Sequence, residues 1–162
     1  MGTQAVTEDD IDVAMVLYRE EGRWSVGALP AKNATSMEAL VSSLRRFPGE
    51  GGVFGAVAVA DEFFVLIRET PQGRWLMISD GASTLDWSLA EEAAELIGID
   101  VEEPEEYEPI GDLSLLNDFG MDSESIVDIC QDDDAYPDEQ LGNIAERLGC
   151  GAQWSAALAD AR

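Results

Sequence analysis

The densest run of side chains able to do chemistry is Asp132-Asp133-Asp134-Ala135-Tyr136-Pro137-Asp138-Glu139, with five carboxylates and one phenol in eight residues. Clustered carboxylates are hard oxygen ligands, so the first chemistry to test is a divalent cation. A calcium loop wants oxygens at alternating positions, glycine at the sixth and glutamate at the twelfth. Counted from Asp132, the fifth position is Tyr136, the sixth Pro137 and the twelfth Asn143. The template fails. Three readings of the run stay open: a cation held in some other way, a solvated acidic start to a helix, or an edge that docks a protein. Tyr136 favours docking, because an aromatic amid charge supplies contact area and a hydroxyl at low entropic cost. The candidate partner-binding residues are Asp132, Asp133, Asp134, Tyr136, Asp138 and Glu139.

Other chemistry finds less support. The sequence has no histidine, which removes the side chain most used for proton transfer near neutral pH and for metal binding. Cys130 and Cys150 stand apart with no CxxC and read as small buried thiols of a reducing compartment. The stretch Gly49-Glu50-Gly51-Gly52-Val53-Phe54-Gly55 has a helix before it and a strand after it. A phosphate-cradling loop needs the reverse order, so this is a helix-to-strand turn. Ser79-Asp80 closes a strand and, with no second group, reads as a turn. The expectation is a protein that is not an enzyme, with no catalytic, cofactor-binding or metal-binding residues and no cofactor. The alternative is a small carboxylate and divalent-metal-dependent enzyme, since 34 acidic residues offer many pairs.

Charge describes the partner better than the reaction. Residues 1–80 carry 12 acids and 7 bases, whereas residues 81–162 carry 22 acids and only Arg147 and Arg162 as bases. The first half is net −5, the second −20, and the whole −25. Such a field repels phosphate backbones and attracts basic surfaces, so a basic protein partner is expected and direct nucleic-acid binding is not. Acidity that served only salt tolerance would be spread evenly. With 46% apolar residues the chain can still bury a core. No apolar run approaches the roughly 18 residues of a membrane span, and no secretory signal opens the sequence, so the expected location is cytoplasmic.

The elements that must position these residues follow from periodicity. Val13, Met15 and Leu17 alternate with Ala14, Val16 and Tyr18, all fairly apolar, as in a strand covered on both sides; Arg23–Leu29 returns antiparallel. Thr35 with Glu38 predicts a capping box for a helix over Ser36–Arg46. Strands Val53–Val59, Phe63–Arg68 and Arg74–Ser79 follow, joined by connections short enough only for antiparallel neighbours. Ser88 with Glu91 predicts a second box, for the helix Leu89–Ile97, and Gly98 a left-handed end. The opening residues Met1–Asp10 should fray. Trp87 and Trp154 are the tryptophans expected to be partly exposed. Asp112 can cap a helix over Leu113–Phe119, Asp122 a short one, and Pro137 starts another ending at Gly149. The fold class expected is α+β, an antiparallel sheet of about five strands with two packing helices, then a short-helix acidic C-terminal region. The corresponding division is a sheet domain over 1–100, an acidic linker over 101–111 and an acidic helical region over 112–162.

Three blocks, LRRFPGEGGVFGAVAVADEFFVLIRE (Leu44–Glu69), ISDGASTLDWSLA (Ile78–Ala90) and CQDDDAYPDEQLGNIAERLG (Cys130–Gly149), in this order resemble the actinobacterial tRNA adenosine deaminase-associated protein family. The third block is the most specific, and the resemblance spans Leu40 to Trp154. Eight arginines to one lysine fit a GC-rich genome. The resemblance implies association with a tRNA adenosine deaminase in tRNA editing, not deamination itself. A zinc deaminase needs H-x-E and P-C-x-x-C, and neither is present. What fits is a non-enzymatic companion: its acidic half is an electrostatic complement to the basic face of a tRNA-binding enzyme. Two readings stay open, that it modulates access to tRNA by occupying that face or that it docks elsewhere on the enzyme.

Overall fold

The computed structural model describes residues 3–49, 51–99 and 108–161. Strand β1 (Ile11–Glu20) turns through Glu21 and Gly22 into β2 (Arg23–Ala28). Both turn residues have positive φ, 51° and 77°, as a tight hairpin between twisted strands requires. Helix α1 (Met37–Leu44) leads to β3 (Val53–Val59), β4 (Phe63–Thr70) and β5 (Gly73–Ile78), then to α2 (Ser88–Leu96) and the two-residue β6 (Ile110–Gly111). The sheet order is β2-β1-β3-β4-β5-β6, antiparallel at every pairing. The fold is α+β as expected, with one strand more than the five read from periodicity. Two residues are too few to show an alternation, and β6 pairs only Met77 with Gly111 and Ile78 with Ile110. It forms at the end of the segment read as an acidic linker, most of which, through residue 107, lies outside the described residues.

The sheet is covered on both faces, which is why β3 is buried along its whole length. On one face Val57, Val65, Ile67 and Ile78 pack with Leu40 and Leu44 of α1 and Leu89 of α2. Gly55 allows the close approach, since a Cβ there would lie 3.1 Å from a Leu44 methyl. On the other face Met15, Leu17, Phe54, Phe64 and Leu66 pack with side chains of α3 (Ser123–Cys130), α4 (Pro137–Leu148) and α5 (Gly151–Ala161). Buried there are Ile126, Leu141, Ile144 and Trp154. The acidic segment therefore contributes one layer of a three-layer sandwich, its apolar stripes turned inward and its acids left outside.

Several local expectations shift. The cap of α1 is Ser36, whose Oγ accepts from the Ala39 amide at 3.1 Å, while Thr35 donates to the Lys32 carbonyl. Ser88 is not a cap but the first residue of α2; its Oγ accepts from the Val6 amide. The opening stretch does not fray from Gln4 onward. The Gln4 amide donates to the Asp86 carbonyl and the Gln4 carbonyl accepts from the Ser88 amide, both at 2.8 Å. Asp112 caps no helix, because its carboxylate accepts from the Leu76 amide at 3.1 Å and continues the β5 edge. Only a 3-10 turn, Asn117–Phe119, forms beyond it. Trp87 and Trp154 are buried, 6% and 3% exposed, and the open tryptophan is Trp75 at 38%. Trp87 can be buried because its indole N–H donates to Glu62 at 2.6 Å.

Candidate docking face

The acidic run sits where α3 hands over to α4. Asp122 starts α3 by accepting from the Ser125 amide at 2.9 Å, and that hydrogen bond holds its carboxyl below the ordinary carboxylate range. At the other end of α3, the buried Gln140 of α4 donates its side-chain amide to the carbonyls of Cys130 and Asp132, at 3.3 and 3.1 Å. These two bonds occupy carbonyls that a helix end leaves without intrahelical donors. They also fix the angle at which residues 131–136 leave the domain. Pro137 is the first residue of α4 and is buried.

Of the six predicted residues, Asp132, Asp133 and Asp134 come together. One ligand atom from each lies within 4.8 Å of the others, and all three side chains are exposed. Asp132 also accepts from the Asp134 amide at 3.1 Å. Tyr136 is 59% exposed, beside this cluster in sequence and just before α4. Glu139 turns back to accept from the Tyr136 amide at 3.1 Å. Asp138 is half-buried and lies near the start of β1, where its charge helps raise the carboxyl of Asp12, an effect led by burial. The cluster, the tyrosine and the first turn of α4 form one rim.

Around that rim the acids outnumber the bases and form no ion pairs among the described residues. The described ion pairs are Arg45–Glu69 at 3.8 Å, Arg68–Asp118 at 2.7 Å and Arg74–Glu69 at 3.1 Å. All three join residues of β4 to their neighbours. The ten carboxylates between Asp122 and Asp160 have Arg147 as the only base among them, and none is ion-paired among the described residues. Between α4 and α5 the surface dips into an open groove of about 710 Å³ lined by Asp138, Glu139, Gly142, Asn143, Glu146 and Trp154, among others.

Two features escaped the sequence reading. Arg68, nearly buried, donates to the Gly51 and Leu115 carbonyls at 2.8 and 3.0 Å. Both its terminal nitrogens donate to Asp118 at 2.7 Å, and it lies 4.9 Å from the Phe119 ring centre. An arginine closing the apolar run Phe63–Ile67 was the available signal. The α4–α5 groove is the second, and a glycine inside a helix, Gly142, was its signal. The glycine-rich turn is a connection from α1 to β3, as read. Gly52 sits at φ 103°, with Thr70 and the Glu69 carbonyl too close for any Cβ. Ser79 accepts from the Phe64 amide at 2.8 Å and Asp80 from the Ala82 amide, so both serve the backbone. Burial pushes the Cys130 thiol up to about 12 and the Cys150 thiol up to about 11, so both stay protonated, and unreactive, near neutral pH.

The family model described as Rv3753c-like tRNA adenosine deaminase-associated protein matches residues 12–151, from β1 to the start of α5. The chain belongs to this family. It is 40% identical over 158 residues to protein Rv3753c of Mycobacterium tuberculosis (strain ATCC 25618 / H37Rv), an alignment covering 95% of this chain and 90% of the relative. No solved structure matches the chain. Family membership makes association with a tRNA adenosine deaminase the description of the group, and the whole rim, Asp132 to Glu139, lies inside the matched range. Among the described residues no helix is long and apolar enough to cross a membrane.

Proposed function

We propose that the chain is a non-catalytic, acidic protein-binding module that docks on a tRNA adenosine deaminase and modulates its access to tRNA. The observation that carries the reading is the rim itself: Asp132, Asp133, Asp134, Asp138 and Glu139, ion-paired to no base among the described residues, surround an exposed Tyr136 preceding Pro137. Interface hot spots are commonly built from a rigid aromatic anchor among charges that steer the encounter. A deaminase that binds tRNA needs a basic face, and this rim complements one. The same field disfavours direct binding of tRNA to the module.

The test is binding of the purified chain to the deaminase from the same genome, measured calorimetrically at low salt, with tRNA added as competitor. A saturable complex that tRNA displaces supports docking on the tRNA-binding face. A complex that forms equally well with tRNA present places the docking elsewhere on the enzyme. Absence of a complex overturns the reading.

A further inference from the structure

We infer that the groove between α4 and α5 is a binding site for a basic polypeptide segment, read by acids along its walls and by the indole N–H of Trp154 at its floor. The inference rests in part on the docking reading above; the groove shares Asp138 and Glu139 with the rim and adds Gly142, Glu146 and Trp154. Trp154 is 3% exposed, and its ring lines the groove. The indole N–H has no protein acceptor among the described residues, and it is not sealed off, since the buried side-chain polar atom left without a partner among them is a carboxylate oxygen of Glu69. Gly142 is what leaves it open, because a Cβ at that position would lie 3.4 Å from Nε1. Gly149, Gly151 and Ala152 keep the neighbouring floor low, so a main chain can come close. The donor at the bottom wants a carbonyl oxygen. The walls, Asp138, Glu139 and Glu146, form no ion pair among the described residues, and they want ammonium or guanidinium groups. A peptide with Arg or Lys side chains offers both at once. A polyamine offers only the charge, and an acidic peptide only the carbonyl.

The experiment uses the full chain and three probes: nona-arginine, spermine and nona-glutamate. The chain has four tryptophans, so the Trp154 indole signal is assigned by its loss in Trp154→Phe and followed by two-dimensional NMR at low salt. Nona-arginine should move the Trp154 indole signal saturably, spermine should leave it in place while moving backbone signals of the acids, and nona-glutamate should move nothing. Gly142→Ala should weaken nona-arginine binding about tenfold, the scale of one well-made hydrogen bond. Alanine is the better helix former, so the melting temperature of this variant should hold or rise and lost binding cannot be lost folding. Glu146→Gln, at an exposed position, should weaken the peptide by about threefold and serves should Gly142→Ala fail to fold. An unmoved Trp154 indole at saturation overturns the inference, as does an equal response to spermine or full affinity in Gly142→Ala. A deaminase that does not bind, with nona-arginine behaving as described, sinks only the deaminase reading. A deaminase that binds wild type and Gly142→Ala equally sinks only the groove.

Discussion

Tyr136 and Arg68 show the two ways one side chain matters here, one outward and one inward. Tyr136 is exposed and its ring supports no buried cluster, so Tyr136→Ala should leave circular dichroism and melting unchanged. It should weaken deaminase binding by about 2 kcal/mol, the scale of a hot spot, as calorimetry would read. Replacing Asp132, Asp133 and Asp134 with Asn should instead slow association and flatten its salt dependence, because rim charges act chiefly on encounter. If Tyr136→Ala melts early, the ring is structural and the anchor lies elsewhere. Arg68 is the opposite case. Its side chain is 12% exposed and serves two carbonyls, one carboxylate and three aromatic rings. Arg68→Ala should therefore cost about 3 kcal/mol of stability in a denaturant titration. Asp118 is more than half exposed, so its share is screened and smaller. Its carboxyl is held low chiefly by the Arg68 hydrogen bonds. A depressed folded-state value means the contribution is present above the unfolded carboxylate range, near ~4, and is lost as pH falls through the folded value. Asp118→Asn should lower stability at pH 7 and converge on wild type in acid. A gap that stays constant with pH would show that charge at Asp118 is not what matters.

At the scale of elements, α3 and α4 act as one unit because Gln140 joins them. Gln140→Ala leaves the carbonyls of Cys130 and Asp132 without that donor in a largely buried place, at a cost of about 1–3 kcal/mol. The loop from Gln131 to Tyr136 should then loosen. Hydrogen exchange should show faster exchange at Asp134 and Ala135 with β3 and β4 unaffected; protection equal to wild type there would mean that other contacts hold the handover. This coupling was not legible in the sequence. A buried glutamine sits on the same helical face as Pro137, Leu141 and Ile144, and nothing in its spacing names partners on another helix. What was legible were features with a local physical cause. The both-sided alternation of Val13–Tyr18 marked a strand under two layers, and α1 and α2 were visible in their apolar stripes. Gly98, Gly120 and Gly149 stand at left-handed helix or turn ends, with φ of 75°, 86° and 91°, because each breaks a stripe where a left-handed residue is needed. Caps were harder. Ser36 and Thr35 are equally good candidates by type, and only the start of the tertiary packing chooses between them. The rim was found because charge density and an aromatic can be read directly. The groove was not, because Gly142 and Trp154 come from different helices and meet only after folding.

Across the whole molecule, the separation of charge becomes a prediction about salt. Three bases of the first half, Arg45, Arg68 and Arg74, gather at β4, where they pair with Glu69 and Asp118. The carboxylates from Asp122 to Asp160 cover one layer with Arg147 as their only base. Folding gathers these like charges onto a small surface, so self-repulsion is higher folded than unfolded and screening should favour the folded state. Raising ionic strength from ~10 mM to ~150 mM shortens the screening length from about 30 Å to about 8 Å, less than the width of the acidic layer. Melting temperature should therefore rise over that range. The gain should be smaller in the Asp132, Asp133, Asp134→Asn variant, which carries three charges fewer in the densest part of that layer. Affinity for a basic partner should fall over the same range, since the field that strains the fold is the one that draws the partner in. A divalent-metal enzyme with its site among these acids would behave differently. Millimolar Mg²⁺ would stabilise it with a saturable, stoichiometric shift at constant ionic strength, following mass action. A shift that depends on ionic strength alone separates diffuse screening from a metal site. A melting temperature and a partner affinity both flat with salt would mean that neither the rim's charge nor its distribution governs what this chain does.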